Sequence, residues 1–157
     1  MHKKTLLSSL LATLVLPVFS AQAGKIPLSE VPQAVINSLK ERHPDATIIK
    51  VEKEHHFALK LYEVKFKLDG KKQELLYSPQ GEYFGYEEDI NISELPQAVV
   101  DKLKQTFKIL TIEKAEKIKH PDGRIEYEID VEGDGEEWEM AMSPTGKIWG
   151  KEKDETG

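Results

Sequence analysis

Two patterns of apolar and polar residues occur along this chain, and each occurs twice in the same order. The first is helical. Val31, Val35 and Leu39 fall on one stripe, and Leu95, Val99, Leu103 and Phe107 repeat it further on. A serine and a proline precede each stripe, in Ser29-Glu30-Val31-Pro32-Gln33-Ala34-Val35 and Ser93-Glu94-Leu95-Pro96-Gln97-Ala98-Val99. The serine is expected to cap the helix and the proline to sit in its first turn, where a missing N–H costs nothing. His43-Pro44 closes the first helix, because the residue before a proline avoids the helical region.

The second pattern has a period of two. Tyr62, Val64, Phe66 and Leu68 alternate with polar neighbours, and so do Ile125, Tyr127, Ile129 and Val131. A strand precedes each run, over Thr47 to Glu54 and Thr111 to Ile118. Asp69-Gly70 and Asp134-Gly135 suit the type I′ turn that matches strand twist, so each run folds back on Gln73-Leu75-Tyr77 or Trp138-Met140-Met142. Ser78-Pro79-Gln80-Gly81 and Ser143-Pro144-Thr145-Gly146 then lead to a last strand, Glu82 to Glu87 or Lys147 to Lys151. Matching motifs lie 64 or 65 positions apart, so each copy is one supersecondary unit. The expected fold is α+β: two tandem repeats, residues 24–89 and 90–157, each one helix followed by a four-stranded antiparallel sheet. One sheet face should pack on the helix and the other face solvent.

Residues 1–23 read differently. Lys3 and Lys4 precede a mostly apolar run from Leu6 to Val18, and Ala21-Gln22-Ala23 is a small-x-small cleavage site. This is the pattern of a secretory signal peptide, with an apolar run too short to span a bilayer. A mature protein starting at Gly24, periplasmic or secreted and free of the membrane, is the expectation.

The chain has no cysteine, which excludes disulfides, thiol catalysis and thiolate metal sites. It carries 22 basic and 28 acidic residues; two of the lysines lie in the export segment, leaving the mature chain at −8. Nucleic acid is a poor partner for such a charge, and cations or basic proteins are better ones. The acidity is concentrated. Residues 25–89 hold 10 basic and 12 acidic side chains, whereas residues 90–157 hold 10 and 16.

Strand alternation places the excess. If Ile129 and Val131 point inward, then Glu126, Glu128, Asp130 and Glu132 point out. With Asp134-Gly135 at the tip, Glu132 faces Glu137 and Asp130 faces Glu139. Like charges directly opposite one another destabilise a hairpin, so something should offset them. The first repeat has Leu61, Glu63, Lys65 and Lys67 facing Lys72 and Glu74, a mixed surface. Glu128, Asp130, Glu132, Asp134, Glu137 and Glu139 are therefore the candidate metal ligands. An all-carboxylate set suits a hard, oxygen-seeking cation, Ca²⁺ or a trivalent lanthanide. Asp130-x-Glu132-x-Asp134-Gly135 copies the opening spacing of an EF-hand loop, but Ala141 stands at its twelfth position and the flanks are strands.

Other groups point less clearly. His55 and His56 are adjacent, so on a strand they face opposite ways and cannot share one metal. Glu82, Glu87, Glu88 and Asp89 read as a solvated junction between repeats. Tyr83, Phe84, Tyr86 and Trp149 read as core or inter-repeat packing. Neither a nucleophile elbow nor a phosphate loop is present, so catalysis and an organic cofactor are not expected.

Pro32-Gln33-Ala34-Val35, Tyr62-Glu63-Val64-Lys65-Phe66, Asp69-Gly70-Lys71 and Ser78-Pro79-Gln80-Gly81 resemble the tandem PepSY-like domains, which share the β-lactamase-inhibitory-protein type of fold. Tyr127-Glu128-Ile129-Asp130-Val131 and Ser143-Pro144-Thr145-Gly146-Lys147-Ile148 are similar to PepSY itself. The resemblance spans the mature chain. It implies an exported, non-enzymatic binding or inhibitory module, in a group where some members are associated with metal ions. Two readings follow: cation binding through the acidic residues of repeat two, and docking on an exported protein through the sheet faces.

Overall fold

The computed structural model describes residues 25–153; the export segment expected over residues 1–23 lies outside them. A short 3₁₀ turn, Leu28–Glu30, leads into α1 (Gln33–Arg42), followed by β1 (Thr47–His56), β2 (Leu59–Leu68), β3 (Lys71–Tyr77) and β4 (Tyr83–Asp89). The second copy repeats this order: a 3₁₀ turn at Ile92–Glu94, α2 (Gln97–Thr106), β5 (Leu110–Lys119), β6 (Ile125–Gly133), β7 (Glu136–Met142) and β8 (Ile148–Lys153). Among the described residues, no helix is long and apolar enough to cross a membrane.

The expectation of two separate four-stranded sheets is corrected. All eight strands form one antiparallel sheet in sequence order, because β4 pairs with β5 from Tyr86↔Lys119 to Asp89↔Glu116. The physical reason is the strand edge. Two small sheets would each leave the N–H and C=O groups of two edge strands unpaired, and joining them removes two of those edges.

The capping serines are also corrected. Pro32 and Pro96 hold the N-cap positions of α1 and α2 without a side-chain cap, and Ser29 and Ser93 lie in the 3₁₀ turns upstream. In the second copy Asn91 and Glu94 form a capping box on that 3₁₀ turn, with the Asn91 N–H donating to Glu94 Oε2 at 2.8 Å. The C-terminal reading of α1 holds, since the helix stops at Arg42 with His43 as its cap.

Both helices lie on the same face of the sheet, each over its own core. Val31, Val35 and Leu39 meet Val51, Val64, Phe66, Leu75 and Tyr77. Leu95, Val99, Leu103 and Phe107 meet Ala115, Ile129, Val131, Met140 and Met142. The hairpin tips adopt the expected turn: Asp69 and Gly70 have φ of 51° and 78°, and Asp134 and Gly135 of 55° and 85°. The second hairpin has the register read from the alternation, with Ile129↔Met140, Asp130↔Glu139, Val131↔Trp138 and Glu132↔Glu137.

The helix-free face does not simply face solvent, which is the third correction. Glu63, Glu87, Glu116 and Glu126 point to it, yet are only 2%, 3%, 8% and 5% exposed. Curvature buries them. β1 and β6 are five strand spacings apart, about 24 Å in a flat sheet. His56 at the end of β1 nevertheless bonds Glu128 of β6 at 2.8 Å. The sheet must therefore curl over its helix-free side, and that side becomes a recessed trough. The tip of the β1–β2 hairpin completes the closure: the Phe57 ring lies so close to Gly150 of β8 that a Cβ there would sit 2.6 Å from it.

Candidate functional site

The trough is built twice from matching parts. Lys50 pairs with Glu52 at 2.5 Å, and 64 positions on Lys114 pairs with Glu116 at 2.5 Å. Glu63 and Glu74 of the first copy correspond to Glu128 and Glu139 of the second, 65 positions later. The copies differ at the residue between them. In repeat one it is Lys65, whose ammonium lies 2.6 Å from Glu63 Oε1 and 2.7 Å from Glu74 Oε2. In repeat two it is Asp130, paired across the strands with Lys114 and Glu139. A built-in cation thus neutralises the first set of carboxylates, while a further carboxylate takes its position in the second.

A histidine from the other repeat enters the second set instead. His56 Nδ1–H donates to Glu128 Oε2 at 2.8 Å, and its Nε2–H to Glu126 Oε1 at 3.1 Å. His120, the counterpart of His56 in repeat two, places Nε2 at 2.7 Å from the other oxygen of Glu126. The Phe84 ring packs edge-on against both imidazoles, with centroids 5.1 and 5.0 Å away. Burial of His56 opposes its charge, but the hydrogen bonds to Glu126 and Glu128 outweigh it and push the imidazolium up to about 10. Burial likewise opposes the Glu126 charge, and the two histidines hold its carboxyl below the usual range.

Two other carboxylates of the trough each leave one buried oxygen unbonded. Glu139 Oε1 is buried and makes no hydrogen bond. Burial, then the charge of Glu128, push its carboxyl up to about 8. Glu87 Oε2 is also buried and unbonded, and burial with the charge of Glu116 pushes it up to about 10. Burial and a hydrogen bond that the Glu63 carboxyl donates to Glu74 take Glu63 up to about 9, and burial takes Glu116 up to about 7. One surface therefore holds more carboxyl groups than its lysines and histidines pair, and Glu139, Glu63 and Glu87 keep a proton at neutral pH.

The six residues singled out by sequence divide. Glu128, Asp130 and Glu139 lie together in the trough. Glu132 and Glu137 face each other at the exposed end of the hairpin. Asp134 is elsewhere: its Oδ1 accepts the backbone N–H groups of Lys108 and Ile109, both at 2.9 Å, a structural role at the tip. His56 and Glu126 completed the cluster without being expected there, because 70 residues separate them in the chain and no local spacing links them. The alternation reading of the histidine pair holds, since His55 is exposed and His56 is buried. Glu87 is corrected from a solvated junction to a buried member of the trough, since it lies where β4 joins β5 opposite Ile118. Tyr83 and Tyr86 pack on the first core and Phe84 between the repeats, whereas Trp149 is 40% exposed.

The fold is a tandem helix-plus-four-strand meander with a recessed polar face. Residues 18–85 and 84–149 each match the family described as "Putative beta-lactamase-inhibitor-like, PepSY-like", and the chain belongs to that family. No curated protein matches the chain at a significant level. Solved structures share the fold. A DUF2874 family protein from Bacteroides uniformis is 18% identical with a TM-score of 0.53, covering 78% of this chain and 88% of its own. A BLIP-like protein from Bacteroides fragilis is 20% identical with a TM-score of 0.51, covering 80% and 87%. A "putative periplasmic" protein from Bacteroides eggerthii is 18% identical with a TM-score of 0.53, covering 78% and 88%.

Proposed function

We propose that this protein is an exported, non-catalytic binding module that takes up a hard cation, Ca²⁺ or a trivalent lanthanide, in the trough of its second repeat. The observation that carries this reading is the buried, unbonded Oε1 of Glu139, beside Glu128 and Asp130, where repeat one seats the ammonium of Lys65. A cluster of carboxyl oxygens that such an ion can deprotonate and bind is what these ions require. The basic, apolar and Ala-x-Ala succession at the start of the chain supports export, as does the periplasmic description of a neighbour with the same fold.

Thermal denaturation of the tag-free mature protein tests the reading. Ca²⁺ or La³⁺ at about 100 times its Kd should add about 2.7 kcal/mol to folding stability. Glu128→Gln with Glu139→Gln should weaken binding at least tenfold, about 1.4 kcal/mol. The same change at Glu132 and Glu137 should leave affinity nearly unaltered, because those two lie at the exposed end of the hairpin. If neither ion stabilises the wild type at millimolar concentration, the cation reading is wrong. Docking on an exported protein then takes its place.

A further inference from the structure

His55 and His56 diverge on their strand, yet the curl of the sheet brings His56 to carboxylates from the other repeat. A nitrogen of His56 and one oxygen each of Glu128 and Glu139 lie within 4.8 Å of one another. We infer that these three side chains form a mixed nitrogen–oxygen site for a divalent transition cation such as Zn²⁺ or Co²⁺. This rests on the reading of the trough as a cation-binding face, and adds a second ion class to it.

The donor chemistry favours that class. Imidazole suits Zn²⁺ and its neighbours, whereas Ca²⁺ selects oxygen. Metal–ligand bonds of about 2.0–2.2 Å bring donors of one site to roughly 3–4 Å from each other, so small side-chain rotations suffice here. The supporting contacts are already made. With the cation on Nδ1, in place of the proton now donated to Glu128, the Nε2–H of His56 still donates to Glu126 Oε1, and His120 holds the other oxygen of Glu126. This is the carboxylate–histidine–metal arrangement that fixes the tautomer and orientation of a ligating ring. Glu139, whose Oε1 makes no hydrogen bond, supplies the third donor.

Repeat one provides the contrast. Glu63, Glu74 and Glu87 lie equally close together, but all three donors are oxygen and Lys65 is bonded to two of them. His120, the residue that corresponds to His56, turns to Glu126 and to the Phe84 carbonyl instead. The nitrogen donor is therefore specific to the second copy, and it comes from the first.

The test uses the tag-free mature protein, titrated with CoCl₂ by visible absorption, with ZnCl₂ in competition, and separately with LaCl₃ by calorimetry. Wild type should bind one Co²⁺ with ligand-field bands that Zn²⁺ abolishes, and Co²⁺ should shift the ring-proton resonances of His56. His56→Gln should weaken Co²⁺ and Zn²⁺ at least tenfold, about 1.4 kcal/mol, and leave La³⁺ within about threefold. His55→Gln, at the exposed neighbour, should change neither. Unaltered Zn²⁺ affinity in His56→Gln, or unshifted His56 resonances in wild type, overturns the inference even if La³⁺ binds. The resonances decide the matter if the variant fails to fold. Failure of La³⁺ and Ca²⁺ alone, with His56-dependent Co²⁺ binding intact, overturns the hard-cation reading and leaves the mixed site standing.

Discussion

Raising the pH from about 6 to about 9.5 should lower the melting temperature of the metal-free protein by about 10 °C. Four carboxyls of the trough are pushed above their ordinary range: Glu116 to about 7, Glu139 to about 8, Glu63 to about 9 and Glu87 to about 10. In each case the folded protein keeps a proton that the unfolded chain has released above about 4.5. Where the native state binds more protons than the unfolded state, stability falls as pH rises. His56 acts in the same direction. Its pairing with Glu126 and Glu128 stabilises fully below about 6.5 and is lost as pH climbs towards about 10. Glu126 acts in the opposite sense, since its contribution is present above about 4.5 and fades in acid. The optimum therefore falls near pH 5–6.

Each unit of pKa difference that the pH crosses is worth about 1.4 kcal/mol. The groups share one trough and each ionisation opposes the next, so they titrate as one coupled set and a net loss of about 3 kcal/mol is expected rather than the sum of independent groups. For a chain of this length that is about 10 °C. A bound cation neutralises the same charges, so La³⁺ should flatten the profile. Melting curves at half-unit pH steps, with and without La³⁺, check this. A melting temperature constant over the range would show that the carboxyls ionise in the fold without penalty.

Gly146→Ala should cost about 3 kcal/mol, and its counterpart Gly81→Ala about the same. Both glycines end a Ser-Pro-x-Gly turn at positive φ, 79° and 81°. A side chain in that region costs about 1–2 kcal/mol. Space is the second cost. A Cβ on Gly146 would lie 2.4 Å from the carbonyl oxygen of Ala98, and one on Gly81 2.6 Å from that of Ala34. Both carbonyls belong to helix backbone, so the whole helix must shift, and such overpacking adds about 1–3 kcal/mol. Gly135→Ala separates the two costs. Its φ is 85° but nothing lies within 4 Å of the new Cβ, so it should lose only the conformational part, about 1 kcal/mol. Urea denaturation of the three variants decides this. Equal losses at positions 135 and 146 would show that helix contact at the turn adds nothing.

What could be read in advance was local. The Asp-Gly tips, the alternation around Tyr62 and Tyr127, and the helical stripes depend on residues a few positions apart, and all appear where expected. The Asp130–Glu139 register followed from one turn and one alternation. The trough depends on relations of longer range. Nothing local in Glu87-Glu88-Asp89 announces that this segment pairs with Ile118-Lys117-Glu116. The alternation showed that Glu126 leaves the helix-side core, but not that the sheet would curl until His56 met it. Of the six candidate carboxyls on that hairpin, Glu128, Asp130 and Glu139 share the trough, because the hairpin runs on beyond it to an exposed end. Its tip, at Asp134, is occupied in holding the chain at Lys108 and Ile109.

The meander has a further consequence, for the order in which parts of the molecule assemble. Every strand pairs with its neighbour in sequence, so each core can condense through short loop closures, which favours rapid folding. The contact of His56 with Glu126 spans 70 residues and needs both halves in place. It should form late and open first, releasing the β1–β2 tip while the two cores persist, a partial opening of lower free energy than global unfolding. Amide exchange would detect it as faster, pH-dependent loss of protection at Glu54–His56 than at Val64–Phe66. Uniform exchange along β1 and β2 would refute it. A trough that unlatches in this way would give the proposed ion a route to its buried ligands without dissolving the domain around them.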